Sequence, residues 1–343
     1  MKLNNILLGS ALGMVTLMAF DIHRFNQPVE LKLPSNFPEP VYDLKTNPLT
    51  EKGVQLGKEL FYEGKLSRTG AVSCGFCHQQ PSAFTHHGHE VSHGVDDRLG
   101  KRNSLPISNL IWMKTFFWDG GVNHLDFVAL NPMENPLEMD ETLENVLKKL
   151  NESEHYRAAF REAFGVEEIK STEFLKALSQ FTATLISANS RYDKYVRQEG
   201  GQLSAQELNG LTLFKNKCSS CHATDLFTDG SYRNNGITND FRFDKGREEV
   251  TSNLSDRGKF KVPSLRNVEY TDPYMHDGRF TSLEEVLNHY SDGVQISETV
   301  DRLLLKNERP GIAMTEGEKA DIIAFLKTLT DKEFLTDKRF SEY

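Results

Sequence analysis

One short cysteine motif, present twice, constrains this chain more than any other feature of its sequence. The first copy runs from Cys74 to His78 and the second from Cys218 to His222, and each reads Cys-x-x-Cys-His. The two copies contain all four cysteines of the 343 residues, which are too few for a disulfide scaffold. The pattern predicts two local sites of the same kind, one in each half of the chain.

The motif is typical of covalent attachment of haem c. Its two thiols reach the two vinyl groups of one porphyrin, and the adjacent histidine turns its imidazole onto the iron. The predicted attachment residues are Cys74, Cys77 and His78 for the first haem, and Cys218, Cys221 and His222 for the second. The two histidines are the predicted proximal iron ligands.

Two other kinds of site use paired cysteines. A zinc ion shared by both pairs would not require a histidine after each pair, and a redox-active disulfide needs only one pair. The sequence therefore favours two haems. Two haems leave open an electron carrier, an oxidoreductase and a sensor, because the sixth ligand of each iron decides between electron transfer and peroxide binding.

Composition narrows the class of protein and of partner. Apolar residues make up 38% and charged residues 26% of the chain, as in a globular protein, and 343 residues suit two domains. The formal net charge of −9 argues against a nucleic-acid partner, which needs a basic footprint. A basic protein partner is compatible with this charge.

The N-terminus reads as an export signal. Lys2 precedes an uncharged run over residues 6–20, which has the length of a signal-peptide core and is short for a bilayer span. We therefore expect a signal peptide over residues 1–20 and a periplasmic protein. No clear cleavage site follows Leu17, so the alternative is an uncleaved N-terminus that tethers the protein to the membrane.

Prolines and apolar periodicity divide the remaining chain into three parts. Residues 21–48 form a proline-rich lead, 49–197 the first haem domain and 198–343 the second. Alternating strand patterns are nearly absent, so the predicted fold class is mainly α. Residues 223–262 are predicted to be a long surface loop region. The predicted helices lie near residues 49–64, 140–150, 153–164, 171–197, 204–217 and 315–329.

The two halves share a pattern of residues downstream of their cysteine motifs. Four positions recur with identical spacing: Asn109, Asp119, Gly120 and Leu125 correspond to Asn267, Asp277, Gly278 and Leu283. Duplication of one haem-binding unit explains this pattern.

Four further stretches carry a specific resemblance. They begin at Arg102 (RNSLPISNL), Phe116 (FFWDGG), Glu134 (ENPLEMDETLENV) and Lys261 (KVPSLRNVEYTDPYMHDGRFTSLEEVLNHY). Together they resemble the bacterial dihaem cytochrome c peroxidase family, which includes the dihaem enzyme that matures methylamine dehydrogenase. The resemblance covers about residues 45–335. It implies two cytochrome c-like haem domains in tandem, the first reactive with peroxide and the second an electron relay.

The resemblance assigns roles to two residues. Glu138 matches the distal-pocket carboxylate of the peroxide-reactive haem, a general acid–base that moves a proton between the two peroxide oxygens. Read without the resemblance, Glu138 suits the entry to a helix, next to Asp140. Trp118 matches the tryptophan between the two haems, and a core tryptophan is its other interpretation. His276, at the equivalent position of the second half, is expected to be structural or to contact a haem propionate.

For the first haem, the resemblance suggests a histidine ligand that leaves the iron on activation. His93 lies in the matching place, although serine precedes it where the family has glycine. Three more histidines lie nearby, at His86, His87 and His89. The alternative is a permanently open iron, with these histidines on the surface or binding adventitious metal.

For the second haem, Tyr290 lies where many family peroxidases carry a methionine ligand, and tyrosine there resembles the maturation enzyme. A phenolate stabilises Fe(III) more than a thioether does. Met275 and Met314 are rival ligands. Val128 stands where many members place a distal-pocket glutamine, so one hydrogen-bonding group near the peroxide is missing.

Members of the family also hold a calcium ion between the domains. The matching residues are Asn103, Thr271 and Pro273, which supply one side-chain oxygen and two backbone carbonyls. Such a set without a carboxylate cluster suits calcium only weakly.

The resemblance implies a peroxidase that reduces hydrogen peroxide to water with electrons from a small cytochrome c or cupredoxin, and it favours a homodimer. One alternative is a dihaem oxidase that modifies a tryptophan or tyrosine of a partner protein through a high-valent bis-haem state, which Tyr290 supports. The other is a non-enzymatic dihaem electron-transfer cytochrome.

Overall fold

The computed structural model describes residues 26–306 and 309–342. The predicted signal peptide and the alternative membrane tether concern residues 1–20 and lie outside this range. Within it, no helix has the length and apolar character needed to cross a bilayer. The described fold is mainly helical, as predicted, with one small two-stranded sheet.

The described helices and strands are short and joined by many turns. The α-helices are α1 Glu51–Tyr62, α2 Cys74–Cys77, α3 Leu130–Glu134, α4 Leu143–Glu152, α5 Glu154–Phe164, α6 Ser171–Ala183, α7 Arg191–Val196, α8 Ala205–Lys217, α9 Glu248–Thr251, α10 Leu283–Asn288, α11 Glu316–Lys327 and α12 Lys332–Thr336. The 3₁₀-helices are Gly64–Leu66, Gln80–Ser82, Val95–Asp97, Leu110–Trp112, Leu125–Phe127, Leu254–Asp256, Val268–Tyr270 and Arg302–Leu305, and a π-helical turn covers His289–Gly293. The strands β1 Tyr232–Arg233 and β2 Phe260–Lys261 pair antiparallel.

The single helix predicted over residues 171–197 is wrong, because the structure has two helices there, α6 and α7. Ser190 caps α7 with a hydroxyl that accepts a hydrogen bond. Just before it, the backbone N–H groups of Ala188 and Asn189 donate to the carboxylate of Asp331 at 2.9 and 2.8 Å. These N–H groups are thereby satisfied outside a helix, so the chain turns at this point.

The first core forms where α1 packs against α6, supported by α4 and α5. The last residues of the chain also pack here, although the sequence assigns them to the second domain. Phe334, Leu335 and Phe340 are buried in this core, and Tyr62 Oη donates to the Phe340 carbonyl at 2.7 Å. The C-terminal segment therefore returns to the first unit.

The second core forms where α8 packs against α11. Its buried residues include Leu211, Phe214, Phe227, Ile322 and Phe325. A third apolar cluster holds the described part of the proline-rich lead against the body of the protein. In it, Trp112 Nε1 donates to the Pro38 carbonyl at 2.6 Å, and Tyr42 is buried.

An ion pair lies fully buried beneath the same lead. The side chains of Arg266 and Asp193 are both 0% exposed, and two hydrogen bonds join them, Arg266 Nη1 lying 2.9 Å from Asp193 Oδ2. Asn36 Nδ2 donates to the other carboxylate oxygen at 3.1 Å, and the guanidinium lies 4.5 Å from the ring centre of Phe37. The lead thus covers a desolvated charge pair.

The two halves repeat one local arrangement, which supports the predicted duplication. Asn109 and Asn267 both have positive φ, and each precedes a short 3₁₀-helix. Both side chains hydrogen-bond to Ser187, one at its carbonyl (3.0 Å) and one at its hydroxyl (2.9 Å). Matching loops follow, closed by the bridges Phe116–Val122 and Tyr274–Phe280.

Candidate active site

The first cysteine motif opens onto a cavity of about 450 Å³. Cys74 and Cys77 begin and end α2, a single helical turn, and both line the cavity with His78. Glu138 and Val128 line the same cavity. The structure therefore brings the predicted attachment residues and the predicted catalytic carboxyl together.

The second motif opens onto a separate cavity of about 500 Å³. It is lined by Cys218, Cys221, His222 and the three candidate ligands Tyr290, Met275 and Met314. Because the two cysteine pairs lie in different cavities, one zinc ion shared by both pairs does not fit. No disulfide joins any two of the four cysteines in this structure.

Each motif histidine is oriented by a backbone carbonyl. His78 Nδ1 lies 2.7 Å from the Phe84 carbonyl, and His222 Nδ1 lies 3.0 Å from the Phe227 carbonyl. A hydrogen bond at Nδ1 leaves the Nε2 lone pair for a metal. Burial lowers the pKa of both imidazoles, which favours the neutral form that ligates metals. Cavity, thiols and imidazole in each half thus fit one covalent haem.

The candidate ligands of the second haem share its cavity. Burial raises the pKa of Tyr290 to about 12, so the phenol keeps its proton until a cation displaces it. The thioether sulfur of Met275 accepts a hydrogen bond from Asn235 Nδ2 at 3.4 Å. The structure places both of these residues and Met314 on the cavity lining, and Tyr290 stays the predicted ligand.

A shared wall separates the two cavities. Trp118 and Asn103 line both, and Trp118 Nε1 donates to the Asn103 carbonyl at 2.8 Å. The backbone N–H of Lys261 donates to the Trp118 carbonyl at 2.7 Å. Beside them, the His276 ring stacks on Phe260 at 3.7 Å between centres. The structure puts Trp118 between the two candidate haem sites, and it puts His276 in the wall of the second cavity.

Lys261 is a wall residue that the sequence did not single out for a role. It lines both cavities, and its ammonium donates to the Thr115 carbonyl at 3.0 Å. Burial lowers its pKa to about 8. In the sequence it lies in the predicted surface loop region 223–262, whereas the structure buries it, so only the tertiary fold reveals its position.

Glu138 is held in a polar corner of the first cavity. Asn135 Nδ2 donates to Glu138 Oε1 at 3.1 Å. Burial raises the pKa of Glu138 above its usual range, and hydrogen bonds from Asn135 and Ser92 partly oppose this shift. A carboxyl tuned toward neutral pH is suited to both accepting and returning a proton. Asn135, for which no role was predicted from the sequence, holds one oxygen of this carboxyl in place.

Gly94 sets the distance between the Glu138 segment and the loop before it. The Val95 N–H donates to the Glu138 carbonyl at 2.7 Å, and a Cβ at Gly94 would overlap the carbonyl oxygens of Leu137 and Glu138. We expect Gly94→Ala to lower the free energy of unfolding by about 1–3 kcal/mol and to reduce catalytic activity, because the backbone must move. Urea denaturation and steady-state assays check this.

Gly317→Ala is the control for that substitution. Gly317 is exposed in α11 and has no close neighbour for a Cβ, so alanine there should be neutral or stabilising. Equal effects of the two substitutions would contradict the packing argument for Gly94.

His93, the predicted ligand of the first haem, is not on the lining of the first cavity in this structure. Its ring instead contacts Asp97 and His89, and His86 stacks on His89. Burial and the charges of neighbouring histidines lower the pKa of His86 to about 4. His87 lies apart, 3.6 Å from Asp272. Ligation of the haem by His93 stays a prediction that requires this loop to move.

The predicted calcium residues lie along one side of the second cavity. Asn103, Thr271 and Pro273 all line it. The amide nitrogen of Asn103 donates to the Glu90 carbonyl at 3.1 Å. In residues 26–306 and 309–342, no cluster of three or more carboxylate, imidazole or thiol groups is arranged around an ion. Calcium binding stays a prediction.

Comparison with known proteins decides the family. A family model described as di-haem cytochrome c peroxidase matches residues 51–201. The chain is 37% identical over 295 residues to the methylamine utilization protein MauG of Methylorubrum extorquens, covering 85% of this chain and 82% of that one. The chain belongs to the di-haem cytochrome c peroxidase family. It is also 34% identical over 297 residues to the cytochrome c551 peroxidase of Nitrosomonas europaea, covering 85% and 84% of the two chains.

Solved structures agree with membership of the di-haem cytochrome c peroxidase family. A MauG-like protein associated with microbial copper homeostasis superposes with a TM-score of 0.84 at 32% identity, covering 92% of this chain and 99% of that one. The diheme peroxidase BthA of Burkholderia thailandensis has the same fold, with a TM-score of 0.73 at 22% identity and the same coverage. The protein is a haem peroxidase oxidoreductase, and its family implies two haem c groups, a peroxide substrate and redox partners. The non-enzymatic cytochrome is therefore set aside.

Proposed function

We propose that this protein is a periplasmic dihaem cytochrome c peroxidase that reduces hydrogen peroxide to water with electrons from a small redox protein. One observation carries the proposal. The half-buried carboxyl of Glu138 lines the same cavity as His78 and the first cysteine pair, and a wall containing Trp118 separates this cavity from the second. A catalytic cavity beside an electron-relay cavity is the arrangement that a peroxidase fed by a protein donor needs.

Residues of the two cavities have different proposed roles. His78 and His222 would each hold one haem iron, and the bound haems supply peroxide binding in the first cavity and electron storage in the second. The Glu138 carboxylate would take a proton from one oxygen of peroxide and give it to the other oxygen, which then leaves as water. Asn135 keeps Glu138 Oε1 oriented during this transfer.

Trp118 is the proposed bridge for electrons between the cavities. We expect Trp118→Leu to slow donor-supported turnover, because the aromatic ring leaves the shared wall, whereas Trp118→Phe keeps an aromatic ring there and retains most activity. Both substitutions lose the hydrogen bond to the Asn103 carbonyl, so their difference isolates the ring. Rapid-mixing measurements of electron transfer between the haems check this. Equal rates in the two variants would contradict the bridging role.

Other parts of the proposal concern location and partners. The signal-like residues 1–20 support export to the periplasm. The net charge of −9 favours a basic docking face on the donor, a small cytochrome c or a cupredoxin. A homodimer and an interdomain calcium ion at Asn103, Thr271 and Pro273 are proposed from the family resemblance.

Steady-state kinetics test the proposed function. Pre-reduced holoprotein is mixed with reduced small cytochrome c and hydrogen peroxide, and oxidation of the donor is followed by absorbance. We expect two donor molecules to be oxidised for each peroxide reduced. Absence of turnover with both haems intact would contradict the proposal.

Tyr290 favours a second candidate function. Its phenol lines the second cavity, and the chain is 37% identical to a methylamine utilization protein MauG. A tyrosine ligand to the second haem would suit an oxidase that uses peroxide to modify a tryptophan or tyrosine of a partner protein. The test is electron paramagnetic resonance of the oxidised protein, which separates His/Tyr from His/Met ligation, followed by mass spectrometry of a candidate partner after peroxide treatment.

A further inference from the structure

Three histidines form a cluster beside the first cavity and outside its lining. The histidine cluster consists of His86, His89 and His93. The ring centres of His89 and His93 lie 4.3 Å apart, as do those of His86 and His89. The His93 carbonyl lies 3.5 Å from the Cys77 sulfur, so the histidine cluster adjoins the first haem attachment site.

The two nitrogens of the His93 ring face different partners. Nδ1 lies 3.2 Å from Asp97 Oδ1, and a carboxylate at that distance keeps the proton on Nδ1. Nε2 is then the atom with the free lone pair, and it faces His89 Nδ1 at 3.2 Å. This is the carboxylate–histidine arrangement that orients metal ligands in proteins.

The spacing of the two facing nitrogens suits a shared ion. Nitrogen ligands about 2.0 Å from a metal ion lie roughly 2.8 Å apart at adjacent corners of a square-planar site and roughly 3.3 Å apart in a tetrahedral one. The observed separation between His89 Nδ1 and His93 Nε2 is 3.2 Å. The separation lies between these two values, and a shared ion would replace the hydrogen bond that now joins the two nitrogens.

His86 offers a third donor. Its side chain is buried, and Nδ1 has no hydrogen-bond partner. A buried polar nitrogen without a partner is unfavourable, and a bond to a metal ion would remove that cost. In residues 26–306 and 309–342, no three donor side chains already surround an ion position, so the His86 ring must turn toward the other two.

We propose that the histidine cluster binds one late first-row transition-metal ion, with Cu²⁺ held most tightly. Imidazole is a favoured ligand of copper and zinc, and at a given nitrogen site the divalent ions follow an affinity order that peaks at Cu²⁺. The site is independent of the proposed peroxidase function. It competes with ligation of the first haem by His93, because Nε2 of His93 serves only one metal.

The test uses the holoprotein with both haems attached, freed of loose metal by a chelator and dialysed. It is titrated with Cu²⁺ by isothermal calorimetry, and the bound metal is counted after dialysis. We expect one equivalent of Cu²⁺ to bind tightly to the holoprotein. His89→Gln and His93→Gln should weaken binding by more than the roughly 10–100-fold expected for Asp97→Asn, which removes only the orienting carboxylate. His155→Gln, an exposed histidine on α5, is the control and should bind as the unchanged protein does.

Two spectroscopic measurements complete the experiment, one on the bound Cu²⁺ and one on the spin state of the first haem. Electron paramagnetic resonance of bound Cu²⁺ should show nitrogen couplings that disappear in His89→Gln. Tight binding that persists in both His89→Gln and His93→Gln would overturn the proposal. A change in the spin state of the first haem in metal-free His93→Gln would also overturn it, because that result would place His93 on the haem iron.

Discussion

Glu138→Gln lowers the rate of peroxide reduction by about 10²–10⁴-fold, the usual contribution of a general acid–base. Glutamine keeps the shape of the side chain and a group that can pair with Asn135, but it cannot accept the proton of peroxide. Haem attachment and the fold should be unchanged, because the side chain contributes no buried ion pair. Single-turnover kinetics with stoichiometric peroxide measure the effect without interference from the electron donor.

Glu134→Gln is the matched control for this substitution. Glu134 lies in the same segment, four residues earlier, and is exposed. Its loss should leave the rate unchanged. A Glu138→Gln variant with the activity of the Glu134→Gln variant would remove Glu138 from the mechanism.

The pH dependence of the reaction follows from the same residue. Burial raises the pKa of Glu138, and the carboxylate must be ionised to accept the proton of peroxide. Activity therefore falls as the pH drops through this raised pKa, at a higher pH than an exposed glutamate would give. The residual activity of Glu138→Gln should lack this acidic limb.

Arg266→Met lowers the free energy of unfolding by about 3–5 kcal/mol, because it leaves the carboxylate of Asp193 buried without its partner. Burial alone would raise the pKa of Asp193, but the hydrogen bonds and the charge of Arg266 lower it overall. The same carboxylate caps α7 and accepts a hydrogen bond from Asn36 in the lead. The substitution should therefore also weaken the start of α7 and the packing of the lead. Thermal unfolding followed by circular dichroism measures the loss.

Arg242→Met is the control for the buried pair. Arg242 pairs with Asp240 on the surface, with its side chain 80% exposed, so its loss should change stability by no more than about 0.5 kcal/mol. Similar melting temperatures for the two variants would show that the buried pair contributes little.

The features predictable from sequence are those set by neighbours along the chain. The spacing of Cys74, Cys77 and His78 predicts an attachment site because one helical turn carries both cysteines and the histidine follows it directly. The capping box of Ser204 and Glu207 likewise begins α8 where the pattern predicts a helix. Local hydrogen bonds and side-chain spacing decide both features.

Features that depend on distant parts of the chain were missed. Lys261 becomes a wall residue only because the β1–β2 pair carries it between the two cavities. The break between α6 and α7 depends on Asp331, far along the sequence. None of these contacts leaves a periodic signal.

The return of the C-terminal segment to the first core affects how the protein is made. Gln80, two residues after His78, donates to the carbonyls of Phe334 and Asp337 at 3.0 and 2.8 Å. The unit that emerges first during synthesis therefore stays incomplete until residues 334–340 have been made. A chain truncated before Phe334 would finish its second unit and leave the first with an open side next to the attached haem. The core around the first cysteine motif thus depends on a segment more than 250 residues further along the chain.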